Sequence, residues 1–279
     1  MRIAILILLA AAAGSAQFGG LINKAKEKMQ KAKPVTDRAE RAAATFRPWS
    51  AEEEQEIGAA TAAKMIAIFG LVEVPKVTRY VNLVGGAVAQ FAPRQMPYRF
   101  GVLDTDIVGA FAIPGGYIFI TRAALTGMTS EAQLAGALGH EIVHASERHL
   151  ETEIRQKKTS TWAVEEARTQ ARTGQEYLRQ RADAFVKDMM TTKMSRDKED
   201  AADTQGSRIA SQAGYAPGGL LEFLRAMARA SAQAGKQRMF GQLLSTHPPF
   251  EERIGALEPV VGTGSGQTLE NRFRAAIFE

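Results

Sequence analysis

The sequence predicts an α+β fold, mainly α-helical, with a short β-sheet packed on one motif-bearing helix. Helical apolar spacing dominates the chain on either side of a compact block, residues 98–121, of short β-branched and aromatic runs punctuated by Gly and Pro. Directly after that block comes "GHEIVHASERH", Gly139 to His149, which holds three of the four histidines of the chain. A length of 279 residues suits one large core or two small ones, so size forces no split into domains.

The N-terminus "MRIAILILLAAAAGSAQ" places one positive charge, Arg2, before an unbroken apolar run from Ile3 to Ala13. Gly14 and Ala16 then fit the small-residue positions of a signal-peptidase site before Gln17. The run is shorter than the ~20 residues needed to span a bilayer. Residues 1–16 are therefore expected to be a signal peptide and the protein to be exported, with an uncleaved anchor as the alternative. Residues 17–50 form a basic, Ala-rich helical lead-in ending in "FRPWS". Part of the net charge of +5 lies there, in "LINKAKEKMQKAKP". Without an interleaved aromatic–basic pattern, that excess does not argue for a nucleic-acid partner, and membrane association is expected to be peripheral at most. The chain has no cysteine, so no disulfide braces it and no lipid can attach through a thioether. Any transition metal must be held by His, Asp or Glu, which favours a catalytic site over a Cys-rich structural one.

The elements follow in order. Ser50 is a candidate N-cap with acids in the first turn of "AEEEQEIGAATAAKMIAIFG", and a second helix covers "VTRYVNLVGGAVAQFA". "YRFGVLD", "AFAIPGG" and "YIFIT" are the strands. In "GGYIFIT", Gly115 and Gly116 leave the backbone accessible, so Tyr117, Ile118 and Phe119 are candidates for an edge that binds an extended peptide; an ordinary internal strand is the alternative. The motif helix opens with Ser130 and Gln133 as a capping box and carries Leu134, Leu138 and Ile142 as a core stripe. Residues 151–194 are polar with a weak stripe of Leu178, Phe185 and Met189, and read as covering helices rather than core. A helix from Arg196, capped by Ser195, stops at Gly214 with Pro217 beyond; shorter helices follow around "LLEFLRAMARA" and "PFEERIGALE". Residues 259–279, with "GTGSGQ", read as a flexible tail.

His140 and His144 lie about 40° apart around a helix axis, so both project from one face and can grip a single Zn²⁺ at about 2.0–2.1 Å. Glu141 follows the first histidine, where it can reach a metal-bound water without competing for the metal. A catalytic zinc needs a third protein ligand and an open position. The long form of the motif, with a third histidine ten residues after the first, is excluded because position 150 is Leu. A carboxylate remains. Glu165 and Glu166 lie 21 and 22 residues past His144, in a polar run that reads as a solvated helix. Glu199 lies 55 residues past it and shares a face with Asp203, Gly206 and Ala210, small enough for close approach to the motif helix. Taken alone, "DKED" also reads as a solvated face; the packing argument favours Glu199.

"AFAIPGGYIFIT", "SEAQLAGALGHEIVHASERH", "SRDKEDAAD" and "STHPPFEERI" occur in this order, and together they resemble peptidase family M48, the zinc endopeptidases that include the CAAX prenyl protease and HtpX-like proteases. The resemblance covers about residues 50–258 and is nearest the soluble periplasmic quality-control branch. It implies a zincin (gluzincin-like) core with one Zn²⁺ per chain, held by His140, His144 and Glu199, with Glu141 as the catalytic base. Asp203 is implied as a residue behind the ligands, sometimes assigned as proton donor. The His-Pro…Arg pattern, His247-Pro248 with Arg253, implies a role for His247 near the open zinc position, as oxyanion or metal-proximal group. His149 is expected to make a structural hydrogen bond, and Arg148 to pair with an acid. Gly109 stands where relatives often carry Asn, so a polar side-chain contact of that kind is not expected there. The implied clients are unfolded or misassembled exported proteins, with outer-membrane assembly machinery as partner. The alternatives are a chaperone-like or assembly-factor-binding module with a mostly idle zinc site, and a surface-binding protein acting through residues 21–33.

Overall fold

The computed structural model describes residues 48–157, 174–234 and 246–279. The signal peptide, the lead-in through residue 47 with its basic residues 21–33, Glu165, Glu166 and the Leu178 side chain lie outside the described residues. Ser50 starts α1 (Ala51–Phe69) with a reciprocal box: its Oγ accepts from Glu53 N at 3.2 Å, and the Glu53 carboxylate accepts from Ser50 N at 2.9 Å. Then come α2 (Pro75–Ala89), β1 (Arg99–Leu103), β2 (Ala110–Ile113) and β3 (Tyr117–Thr121). Next are the short α3 (Arg122–Thr126), the motif helix α4 (Glu131–Ser146), α5 (His149–Lys157) and α6 (Gly174–Met189). The described chain closes with α7 (Arg196–Gln212), α8 (Gly219–Ala234), α9 (Phe250–Leu257) and α10 (Glu270–Ile277). Among the described residues no helix is long and apolar enough to cross a membrane.

The sheet order is β1-β3-β2, with β1 parallel and β2 antiparallel to β3. This corrects the expected free edge at "GGYIFIT": β3 is the central strand, paired on both sides, and Gly115, Gly116, Tyr117, Ile118 and Phe119 are all buried. The edge next to the motif helix is β2 instead. A tight turn over Pro114–Gly116 joins β2 to β3, with Gly115 and Gly116 at φ +78° and +79°.

Each face of the sheet has its own core. Ile118, Ile120, Phe100 and Val102 join Val81, Val84 and Val88 of α2 and Leu134, Leu138 and Ile142 of α4. On the other face Tyr117, Phe119, Phe111 and Ile113 meet Met65 of α1, Leu150 and Ile154 of α5, and Phe185 and Met189 of α6. The described part of residues 151–194 is thus core, not merely cover. The tail differs as well. After the Gly-rich stretch, α10 returns to the body: Phe273 is fully buried, Ala132 N donates to Thr268 O at 3.2 Å, and Arg272 pairs with the buried Glu131.

Candidate metal centre

The site is made where α4 and α7 cross. Ser130 caps α4 as expected, its Oγ accepting from Gln133 N at 3.3 Å. The Gln133 side chain, however, turns to Thr129, accepting from its N at 3.0 Å and donating to its Oγ1 at 2.9 Å, so the return half of the box falls one residue early. α4 is buried on every side, because the sheet, α2, α7 and α8 surround it. At the crossing, a Cβ on Gly139 would stand 2.5 Å from Gly206 O, and one on Gly206 would stand 2.6 Å from His140 N. This backbone-to-backbone approach carries Glu199 and Asp203 up to the histidines.

The structure brings His140, His144 and Glu199 together and adds His247: one ligand-type atom from each lies within 4.8 Å of the others. The Nε2 atoms of His140 and His144 face each other at 2.9 Å. Glu199, with no exposed surface, sets its Oε2 3.9 Å from His140 Nε2 and its Oε1 3.4 Å from His144 Nε2. His247 Nδ1 lies 2.8 and 2.9 Å from the two Glu199 oxygens. Burial works against charge on both partners. The attraction overcomes it, so the Glu199 pKa is held well below the usual carboxylate range and the His247 pKa is raised.

A second set of residues fixes the rings from behind. His140 Nδ1 lies 2.8 Å from Asp203 Oδ1, and Arg253 grips the same carboxylate with Nη2 at 2.6 Å and Nε at 3.0 Å. Asp203 is buried, yet Arg253 and His140 hold its pKa far below the usual range. His144 Nδ1 lies 2.9 Å from His149 Nδ1. Burial, then His144 and Lys198, pushes His149 down to about 3, and its Nδ1 is placed to share a hydrogen bond with His144 Nδ1. With each Nδ1 engaged, the Nε2 atoms of His140 and His144 are turned to one point beside a carboxylate. Ligand-type atoms of three histidines and a carboxylate gathered within 4.8 Å of one another fit a divalent metal. Nitrogen and carboxylate donors without thiolate suit zinc in a catalytic setting. Glu141 is buried beside His140 and lies close enough to His247 and Arg253 for its charge to raise both their pKa values.

The family model described as Peptidase family M48 matches residues 75–261, a span that includes every one of these side chains. The chain belongs to peptidase family M48. Among curated relatives, the beta-barrel assembly-enhancing protease of Yersinia pestis is 25% identical over 214 residues, covering 74% of this chain and 43% of the relative. The mitochondrial metalloendopeptidase OMA1 of Schizosaccharomyces pombe is 30% identical over 182 residues, covering 65% of this chain and 52% of the relative. The metalloprotease YcaL of Escherichia coli K12 is 25% identical over 169 residues, covering 60% and 64%. The chain spans less than half the length of the assembly-enhancing proteases it matches.

Of the residues singled out from sequence, His140, His144, Glu199, Asp203 and His247 converge, with Glu141 buried directly after His140, while Tyr117, Ile118 and Phe119 lie inside the sheet. Arg148 pairs with Glu54 at 2.5 Å. What the sequence reading missed is the Arg253–Asp203 pair as support for His140, although the fixed spacing of Arg253 from His247 already pointed to this region. It also missed Glu54 and Arg94, which lie far from every motif in the chain.

Proposed function

We propose that the chain is a zinc-dependent endopeptidase, binding one Zn²⁺ and hydrolysing internal peptide bonds of unfolded or misassembled exported proteins. The observation that carries this reading is the convergence of the His140 and His144 Nε2 atoms and the Glu199 carboxylate on one point, with Glu141 buried next to His140 in the chain. His140, His144 and Glu199 would hold the metal; bound there, it would polarise the scissile carbonyl and make water nucleophilic at neutral pH. Glu141 takes the proton from that water and delivers it to the leaving amine. His247, whose pKa Glu199 raises against the effect of burial, would face the negative charge that develops on the carbonyl oxygen. Asp203, held by Arg253, orients His140.

The β2 edge is where a substrate strand would lie. Thr121 N donates to Gly109 O at 3.0 Å, so by antiparallel alternation Phe111 and Ile113 face β3 while the N–H and C=O groups of Ala110 and Ala112 point outward. Their methyl side chains leave room, and main-chain pairing binds an extended segment with little regard to its sequence. This suits clients that expose unfolded chain. The names of the assembly-enhancing relatives support the bacterial envelope as the setting, with export and outer-membrane assembly machinery as the context. The test is casein cleavage by the protein without residues 1–16, abolished by a chelator and restored by zinc. Zinc binding without turnover would instead favour the assembly-binding module.

A further inference from the structure

α1 packs on the turn between β2 and β3 and takes no part in the chemistry above. Its Glu54 is 2% exposed and ties three distant segments together. Oε1 accepts from Arg94 Nη2 at 2.6 Å and from Gly115 N at 3.3 Å. Oε2 accepts from Arg94 Nη1 at 2.9 Å and from Arg148 Nη2 at 2.5 Å. Arg94 Nη2 also donates to the carbonyl of Ala145, the neighbour of His144, at 3.0 Å. Next along α1, Gln55 Nε2 donates to Gly115 O at 3.0 Å, so Gly115 is held by both its N–H and its C=O. One turn further, Gly58 lies so close to the same turn that a Cβ there would stand 1.9 Å from Pro114 O.

The two ends of this arrangement are the end of the β2 edge and the end of the metal helix. Between them lies a cavity of about 10 Å³, room for about one water, lined by Glu54, Ala112, Pro114, His144, Arg148 and Leu150. A buried carboxylate between two guanidiniums adds little net stability over apolar packing of the same volume, but it tolerates few geometries. Its effect here is to fix a distance.

We propose that Glu54, with Gln55, is a positioning residue that holds the β2 edge at a set height and register over His144, and so aligns a bound substrate strand with the metal. This rests on the edge-strand reading above. It predicts that loosening the α1 grip weakens peptide binding without touching the metal ligands.

The experiment uses the zinc-loaded protein carrying Glu141→Gln, so that peptide is bound and not cut, with an unstructured fluorescein-labelled casein fragment followed by anisotropy. Glu54→Gln and Gln55→Ala are added singly. Gln55→Ala removes no buried charge, so it keeps the test open if Glu54→Gln does not fold. Arg272→Gln is the comparison: it weakens the buried Glu131 pair at the other end of α4, away from β2. The expected result is a Kd raised about fivefold or more by each α1 variant that folds, from weakened main-chain pairing, with zinc content unchanged. Arg272→Gln should lower Tm and leave Kd unchanged. A smaller rise in every folded α1 variant, or an equal rise in Arg272→Gln, would overturn the proposal. Failure of the Glu141→Gln parent to bind the peptide would remove the edge-strand reading and this inference with it. A parent that binds while the α1 variants bind equally well would remove this inference alone.

Discussion

Gly206→Ala tests whether the helix crossing builds the metal centre. The added methyl would stand 2.6 Å from His140 N and 2.8 Å from both Gly139 C and His140 Cα. Ordinary contact begins near 3.4 Å, and the obstructing atoms are backbone, so no side-chain rotation relieves the clash. α7 must retreat from α4 by roughly 1 Å. Overpacking of this kind costs about 1–3 kcal/mol, and at about 2–4 °C per kcal/mol for a chain of this size the Tm falls by roughly 2–12 °C. The same retreat carries Glu199 and Asp203 away from the histidines. Disturbing the residues behind a ligand typically weakens metal affinity about 10–100-fold. Gly86→Ala in α2 is the control, because a Cβ there meets nothing within 4 Å and the helix should gain roughly 0.5–1 kcal/mol. Differential scanning calorimetry and competitive zinc titration read both effects. A Gly206→Ala protein with unchanged Tm and zinc affinity would refute the close crossing as the source of the site.

Three further outcomes are expected. Glu199→Gln should weaken zinc binding strongly, since an amide is a poorer ligand and leaves the site one charge short, whereas replacing Glu165 and Glu166 together should leave it nearly unchanged; the reverse pattern in zinc titration would remove the Glu199 assignment. Burial acts to raise the pKa of Glu54, but Arg94 and then Arg148 outweigh it and hold the group below 4.5. Its stabilisation is therefore present above pH 4.5 and lost as pH falls through the lower folded value, so Glu54→Gln should lower Tm at pH 7 and flatten the acid limb, and an unchanged acid limb in thermal melts would contradict this. N-terminal sequencing of the exported form should read from at or near Gln17; a retained Met1 in a membrane fraction would point to the anchor.

The sequence was most legible where function and local periodicity coincide. The one-turn spacing of His140 and His144 and the small residues Gly206 and Ala210 on the face of Glu199 foretold the crossing of α4 and α7. The three strands formed where the sequence placed them, and only the choice of edge failed, for a readable reason. "YIFI" has no polar alternation, the mark of a strand buried on both faces, whereas "AFAI" with its small alternate residues belongs at the edge. His149 defeats helical-wheel reasoning because α4 ends at Ser146 and Arg148 sits at φ 54°. The chain reverses there and returns His149 to His144, although on a continuous helix it would point about 140° away. The tail was hidden by its Gly-rich approach, after which Phe273 and Ala276 still repeat at helical spacing. Glu54 was not legible at all. Its partners Arg94, Gly115 and Arg148 are 40, 61 and 94 residues away, and no local pattern marks such a hub.

In the proposed division of roles, Glu141 serves the water while the neighbouring histidines serve the metal. The most direct measurement is zinc content and casein turnover on one preparation each of the parent protein and Glu141→Gln. About one zinc per chain is expected in both proteins, with turnover reduced at least about 10²-fold in Glu141→Gln. Loss of zinc together with activity in Glu141→Gln, or turnover that survives the substitution, would contradict it.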